Sequence, residues 1–471
     1  MATITPDTIC AIATPAGSGG IAVIRVSGNQ AIALCDKIFA PLNSKKSLAT
    51  QAANTLLYGT IKEDDEIVDE VVVALFRAPH SFTGEDTIEI SCHGSQYIQQ
   101  RIIALLLAIG CRLAEPGEFT RRAFTSGRID LSQAEAVADL IAATSSAAHR
   151  LAMNQMRGQF SQRLAQLRMQ LLQFASLIEL ELDFSEEDVQ FADRSQLTQL
   201  TQEISREISR LAHSFAVGNA IKNGVPVAIV GETNAGKSTL LNRLVHDERA
   251  LVSDIHGTTR DVIEDTITLG GTLFRFIDTA GIRETTDTIE NMGIERTFDK
   301  LTQSDIVVWL IDSTSDTHEI EQLSQRILPL CQEKHLIIAF NKSDLINETQ
   351  QKNIETTAQH LTTKHPNSVA INLSAKNDIG IDRLEQQLIA AAQLPTSDNN
   401  DVIVTNARHH QALTLALDAI NRVADGLANG IPTDFVAQDI RETMHHLGEI
   451  TGQISTDEIL GSIFTRFCIG K

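Results

Sequence analysis

The sequence predicts a multidomain chain. An α+β N-terminal domain is followed by an all-α helical domain, discontinuous in sequence, with an α/β domain inserted in it. Three observations predict this. Residues 1–119 mix short β-like runs with turns. Residues 120–217 and 386–471 have helical texture, the first of them with almost no Pro or Gly. Between them, residues 218–385 alternate apolar strand-like runs with helical stretches, the spacing of βαβ units and a mainly parallel sheet. Two helical stretches flanking an α/β block imply that the block is inserted into one helical domain.

In the first region, IAVIRVSG (Ile21–Gly28), EIVDEVVVALFRAP (Glu66–Pro79) and TIEISCHG (Thr87–Gly94) read as strands. QYIQQRIIALLLAIG (Gln96–Gly110) reads as a helix closed by a glycine. In the second region Arg150, Arg157, Arg163 and Arg168 precede a crowd of acids, Glu179, Glu181, Asp183, Glu186, Glu187 and Asp188. Such runs are either a solvated helix face or, for the arginines, a local anion-binding face. In the third, the strands are VPVAIVG, TLFRFIDTAG, DIVVWLID, HLIIAFNKSD and SVAINLSAK.

Composition sets limits. At 471 residues the chain has room for two or three cores. Aromatics are only 4%, so burial rests on Leu, Ile, Val and Ala. A net charge of −21 repels phosphates, so a nucleic-acid role needs a local basic patch or a basic partner. The six cysteines are scattered without a C-x-x-C pair, which argues against a disulfide framework and a zinc ribbon. The N-terminus lacks a basic region followed by an apolar run, and no stretch approaches the roughly 18 apolar residues of a membrane span. A reduced, cytoplasmic, soluble protein with no membrane association is expected.

The chemistry is densest after the strand Val225–Gly231. GETNAGKS, residues 231–238, fits G-x-x-x-x-G-K-[ST] and runs from an apolar strand into a helix. Gly231 and Gly236 let the backbone fold back so that its N–H groups face phosphate oxygens. Lys237 brings a charge to the β and γ phosphates, and the Ser238 hydroxyl ligates Mg²⁺. The helix starting at Lys237 adds its positive dipole end. In NKSD, Asn341, Lys342 and Asp344 follow another strand. A carboxylate there accepts both the N1–H and the exocyclic amine of guanine, a donor pair adenine lacks. Ser374, Ala375 and Lys376 supply a base-capping loop, and Asp278 and Gly281 of DTAG face Mg²⁺ and the γ-phosphate. Thr258 and Thr259 lie where a mobile switch closes over Mg²⁺. Four elements in this order identify a Ras-like GTP-binding domain resembling the translation-factor class of P-loop GTPases.

Catalysis departs from the Ras pattern. The position after the DxxG glycine, which in Ras-type proteins holds a water-positioning glutamine, is Ile282. Either hydrolysis is poor or another group holds the water, and Glu284, Asp287 and Glu290 are the nearby acids. Asn234 sits inside the phosphate loop. Its amide oxygen suits a monovalent cation, which would neutralise developing charge as an arginine finger does.

The chain ends in FCIGK. Gly470 and Lys471 fit a prenylation box badly, and no polybasic run precedes them. Cys468 is either an inert terminal thiol or one whose pKa the neighbouring Lys471 lowers in a pocket; that lysine also suits an anionic ligand.

The GTPase block, GSGGIAVIRVSG, SFTGEDTIEISCHG, PGEFTRRAFTSGRIDLSQAEAVADLI and the terminal FCIGK together resemble the bacterial MnmE (TrmE) family of tRNA modification GTPases, in the TrmE-Era-EngA-like superfamily. The likeness covers essentially the whole chain. It implies an N-terminal domain that binds a one-carbon tetrahydrofolate, in the 5-formyl or 5,10-methylene form, and makes the homodimer. It implies a partner, MnmG (GidA), which carries FAD. Together they place a carboxymethylaminomethyl (aminomethyl-type) group on C5 of the wobble uridine of certain tRNAs. By motif, the folate-contacting positions are Arg25, Glu89, Arg128 and Lys471, and Cys468 falls on the family's functionally important cysteine.

In the G domain the resemblance implies GTP contacts from Asn234, Ala235, Gly236, Lys237, Ser238 and Thr239. It adds Ser253, Asp254, Ile255, His256, Gly257, Thr258 and Thr259 of the first switch. Asp278, Thr279, Ala280 and Gly281, then Asn341, Lys342, Asp344, Ser374, Ala375 and Lys376, complete the set. K⁺ is implied at Asn234, Ser253, Ile255 and Thr258, and Mg²⁺ at Ser238 and Thr259. The family's water-orienting glutamate falls on Glu290, with K⁺-dependent G-domain dimerisation activating hydrolysis. One departure is Thr233, where the family has proline; it leaves φ less restricted. The rival expectation is a regulatory or ribosome-assembly GTPase whose N-terminal domain only dimerises. His409–His410 and His445–His446 are expected in surface or core roles, since neighbours on a helix point about 100° apart.

Overall fold

The structure, a computed structural model, describes residues 7–43, 46–183, 194–232, 234–246, 265–277, 301, 303–392, 402–454, 460, 463–465, 467 and 470. The chain divides into two compact units: Met1–Ile141 with Met153–Ser205 and Leu415–Lys471, and Ala142–Ala152 with Arg206–Thr414.

The first unit opens with β1 (Ile9–Ile12), β2 (Gly19–Ser27), α1 (Ala31–Ile38), β3 (Phe39–Pro41), β4 (Thr55–Glu63), β5 (Glu66–Phe76), β6 (Thr87–Gly94), α2 (Gln96–Ala108), β7 (Arg112–Leu113) and α3 (Glu118–Thr125). The strands form one sheet in the order β3-β4-β5-β6-β2-β1-β7. All pairs are antiparallel except β1 with β7. Alternation sets its two faces. One face packs Ile24, Val26, Val73, Ile88 and Ile90 with Ile102 and Leu106 of α2. The opposite face is covered at its β1–β7 end, where Ile9, Ala11 and Ala114 pack with Phe119 of α3. Over β2, β4 and β5 it is open, and Ile21, Leu56, Tyr58 and Val72 are exposed there. Strand β5 stops three residues short of the expected Pro79, because proline has no N–H to give a ladder. Strands β1, β4 and β7 carry no sequence expectation; β7 is two residues long.

Helices α4 (Leu131–Ala142), α5 (Ser146–Met156), α6 (Gln159–Asp183) and α7 (Arg194–Asn223) follow. Long helices bury stripes at alternating three- and four-residue steps, as a helical period requires. In α6 the stripe is Leu164, Leu167, Leu171, Phe174 and Ile178; in α7 it is Leu197, Thr201, Ile204, Ile208 and Leu211.

The second unit contains β8 (Val225–Val230), α8 (Lys237–His246), β9 (Asp265–Leu269), β10 (Thr272–Phe276), β11 (Ile306–Asp312), α9 (Thr317–Ile327), β12 (His335–Asn341), α10 (Glu348–Lys364), β13 (Ser368–Asn372) and α11 (Ile381–Ala391). Its sheet runs β13-β12-β11-β8-β10-β9, parallel except for β9 with β10. Both faces are covered, which is why the strands read as continuous apolar runs. Val227, Ile229 and Val308 pack with Leu240, Leu241 and Leu244 of α8 and Leu384 and Leu388 of α11. Val230, Trp309 and Ile338 pack on the other side with Ile320 and Ile327 of α9 and Ile354 and Leu361 of α10.

Helices α12 (Ala407–Asn429) and α13 (Thr433–Thr451) follow, and α13 packs along α6. His409 is buried beside Arg408, whose Nη2 meets its Nε2 at 3.0 Å, and His410 stacks on Phe215. His445 and His446 lie near Glu442 and Glu449. The arginines of the helical run do not share one surface role: Arg163 bonds Gln166 on its own helix, and Arg168 is half-buried with its Cζ 3.5 Å from where a Cβ on Gly448 would stand. Side chains of the acidic run, Glu179 to Asp188, lie outside the described residues. The five described cysteines are buried free thiols. Among the described residues no helix is long and apolar enough to cross a membrane.

Candidate functional site

In an open parallel sheet, ligand-facing loops gather at the carboxyl ends of the strands. Strand β8 ends at Val230 and the chain turns through Gly231 into α8 at Lys237. Gly236 has φ +97° and packs so closely that an added Cβ would stand 2.3 Å from Asn341 Nδ2. Asn234 takes φ +69°, a left-handed conformation that asparagine tolerates better than most residues. Its side chain is exposed, Ala235 is buried and Ser238 is half-buried. The Lys237 ammonium donates to the carbonyls of Gly231, at 2.8 Å, and Glu232, at 2.7 Å, so it lies at the loop. The first-turn N–H groups of α8 have no partner within the helix. Loop, ammonium and helix start together make an anion cradle that fits a nucleotide's phosphates.

Strand β12 delivers Asn341 to this loop. The Asn341 amide is 3% exposed; its Nδ2 donates to Ala235 O at 2.7 Å and its Oδ1 accepts from the Ala375 N–H at 3.0 Å. One amide thus ties the phosphate loop to the base-capping loop. The Ser374 hydroxyl, and after it Asn377 and Lys376, hold the Asp344 carboxyl below the usual aspartate range. It is therefore ionised at neutral pH. Lys342, with φ +60°, brings its Nζ 2.5 Å from Asp312 Oδ2 at the end of β11. Burial raises the Asp312 carboxyl, and the Lys342 bond and the Thr314 N–H and hydroxyl outweigh this, leaving it lowered. Sequence reasoning missed Asp312; an acid closing an apolar strand was the available signal. Lys376 and Thr239 are exposed at the rim.

Several expected residues lie outside the described residues: Thr233, the switch residues Ser253, Asp254, Ile255, His256, Gly257, Thr258 and Thr259, then Asp278, Thr279, Ala280, Gly281, Ile282, Glu284, Asp287 and Glu290, and at the tail Cys468 and Lys471.

The first unit carries a second polar centre. Strands β2 and β6 pair so that Arg25 stands opposite Glu89, in one row with Ala74 of β5 and Leu56 of β4. Arg25 Nε and Nη2 both reach Glu89 Oε1 at 2.9 Å. The Arg25 guanidinium lies 5.4 Å from the Phe82 ring centroid and 5.6 Å from that of Phe119. It therefore sits where the covered part of the face, under α3, meets the open part. The Ser126 hydroxyl donates to Thr83 O at 2.8 Å, which ties the segment carrying exposed Arg128 to the loop carrying Phe82.

The tail reaches this place. Ile463, Phe464 and Phe467 pack with Leu131 and Ala134 of α4. Gly470 has φ +100°, and an added Cβ would stand 2.3 Å from Ile12 O, at the end of β1. The neighbouring Ala11 is the register partner of Arg25. Arg25, Glu89 and the backbone at Gly470 are thus gathered on adjacent strands β6, β2 and β1.

An ion network anchors α3. Arg122, 4% exposed in its side chain, meets Glu118 at 3.0 Å, Asp7 at 2.8 Å and Glu85 at 3.2 Å. Arg112 grips Glu118 with two bonds, at 2.6 and 3.1 Å. Burial raises the Glu118 carboxyl, and bonds from Arg112, the Glu115 N–H and Arg122 more than reverse this, so it is lowered.

Comparison with known proteins adds descent to geometry. Residues 8–128 match the family model of the GTP-binding protein TrmE N-terminus, and residues 131–468 match that of the MnmE helical domain, across the α/β unit. The chain is 59% identical over 465 residues to the tRNA modification GTPase MnmE of Bacteroides thetaiotaomicron, covering 99% of each. It is 57% identical to that of Parabacteroides distasonis, over 99% of this chain and 100% of the relative. For Flavobacterium johnsoniae the identity is 52%, again over 99% and 100%. Identity of this order along the whole length, together with the two family models, shows that the chain belongs to the MnmE family of tRNA modification GTPases.

Proposed function

We propose that this cytoplasmic GTPase uses GTP turnover to order a complex that modifies C5 of the wobble uridine in certain tRNAs. Its partner is an FAD-dependent protein of the MnmG (GidA) type, and the added group is carboxymethylaminomethyl, built from a one-carbon tetrahydrofolate. The observation that carries the folate reading is the Arg25–Glu89 pair on the half-open face, beside the docked backbone at Gly470. Both Arg25 contacts fall on Glu89 Oε1, so Oε2 is left to accept a pterin N–H. Arg128 and Lys471 suit the carboxylates of a folate glutamate tail. The exposed apolar residues Ile21, Leu56, Tyr58 and Val72 on that same face support a homodimer made by the N-terminal domain. The proposed limits are 1–119 for this domain, 120–217 and 386–471 for the helical domain, and 218–385 for the G domain.

In the G domain, the loop N–H groups and Lys237 bind the phosphates, while Asp344, held by Ser374, selects guanine. Ser238 and Thr259 would hold Mg²⁺, and Asn234, Ser253, Ile255 and Thr258 would hold K⁺; each cation would offset negative charge that builds up on the phosphates during transfer. Glu290 orients the attacking water, the task Ile282 cannot perform, and K⁺-dependent pairing of two G domains brings it into place. Calorimetry of the full chain with 5-formyl-tetrahydrofolate tests the reading. Binding is expected, weakened at least tenfold by Glu89→Gln, in line with loss of a charge-assisted hydrogen bond. No binding by the unaltered chain rejects the folate site.

A further inference from the structure

We propose that Arg243 and Asp378 form a clasp that positions the base-capping loop and sets how slowly guanine nucleotide leaves. The inference rests on the GTP site described above. Arg243 lies on α8, the helix that opens at the phosphate loop, and Asp378 closes the segment that begins with Ser374, Ala375 and Lys376. The two are 135 residues apart in sequence; Arg243 Nε donates to Asp378 Oδ1 at 2.8 Å and Nη2 donates to Oδ2. Two parallel bonds fix orientation as well as distance. Arg243 accordingly holds the Asp378 carboxyl below the usual aspartate range.

The loop is built to be held at this point. Asp378 takes φ +60°, which turns the chain back, and Ser374 and Ile379 close the turn as an antiparallel bridge. The Ser374 N–H donates to Ile379 O at 2.8 Å and the Ile379 N–H to Ser374 O at 3.1 Å. Among the described residues, the phosphate-loop side and the capping loop are therefore joined by at least two links. The inner link is buried and runs from Ala235 through Asn341 to Ala375. The outer link is the clasp, whose side chains are 38% and 49% exposed. The inner link shares its asparagine with base recognition. The outer link is a separate handle on the same loop, so altering it changes how the loop is held and leaves the recognising groups in place. Neither residue is a catalytic residue; each is a positioning residue acting through the loop.

The test is release of mant-GDP from the full chain, with GTP turnover measured alongside. Asp378→Asn is the chosen variant because asparagine keeps the tolerance for positive φ and loses only the charge. Arg243→Gln and the double variant complete a cycle. Since the pair is half-exposed, the expected effect is about a three- to fivefold faster release in each single variant. The double variant is expected to be no faster than the faster single, kcat at saturating GTP unchanged, and Arg243→Lys intermediate. Release within about 1.5-fold of the unaltered chain, or effects that multiply in the double variant, overturns the clasp. An unaltered chain that fails to bind mant-GDP overturns the nucleotide site itself, a different result from a clasp that does nothing.

Discussion

At the scale of single residues, Asn234 has two reasons to be asparagine. Its φ of +69° favours Asn or Gly over other side chains, and its amide oxygen suits the proposed K⁺. The two reasons separate by substitution. Asn234→Gly satisfies the backbone and removes the ligand, so mant-GDP binding is expected to survive while the acceleration by K⁺ over Na⁺ falls at least tenfold. A glycine variant with full K⁺ activation assigns asparagine to backbone geometry alone. The phosphate loop, NKSD and SAK were legible in the sequence because each is a short local pattern beside an apolar strand. Their union through Asn341 was not, because a side chain that bridges Ala235 and Ala375 leaves no periodic trace. The Arg25–Glu89 contact was hidden for a related reason: its partners lie 64 residues apart, and only the register of β2 on β6 brings them together.

At the scale of elements, α3 is held against the sheet by charge as well as by Phe119. Glu118 is 2% exposed, so its carboxylate depends on Arg112 and Arg122. Arg122→Met keeps bulk and removes one cation, and Arg112 remains, so a cost near the low end for a broken buried pair, about 3 kcal/mol, is expected. A loss under about 1 kcal/mol in denaturant unfolding contradicts this reading. The pH dependence has a definite sign. The folded Glu118 carboxyl lies below its ordinary value of 4.5, so its contribution is present above that value and is lost as pH falls through the folded value. Asp7 is lowered likewise from 3.8: burial raises it, and Arg112 and Arg122 outweigh burial. Hydrogen exchange of peptides spanning 112–125, corrected for intrinsic rate, is therefore expected to lose protection below about pH 4.5. Strands β5, β6 and β8 were legible because each is an apolar or alternating run. The two-residue β7 is too short to signal itself, and in β4 the exposed Leu56 and Tyr58 and the buried Gly59 blur the apolar alternation.

At the scale of the whole molecule, an acidic chain of net charge −21 serves tRNA chemistry. Its net charge repels phosphate, so tRNA binding calls for a local basic patch or a basic partner. Of the described closing residues, Phe464 and Phe467 are buried, and Gly470 lies against β1 within one residue of the Arg25 row. Cys468 and Lys471, on either side of Gly470 in sequence, lie outside the described residues. The most direct measurement is mass spectrometry of wobble nucleosides in tRNA from cells lacking this chain, complemented with the unaltered protein or with Glu290→Ala. The C5-substituted uridine is expected to vanish in the deletion, to return with the unaltered chain and to stay absent with the variant. An unchanged nucleoside profile in the deletion, or full restoration by a variant shown not to hydrolyse GTP, would contradict the account.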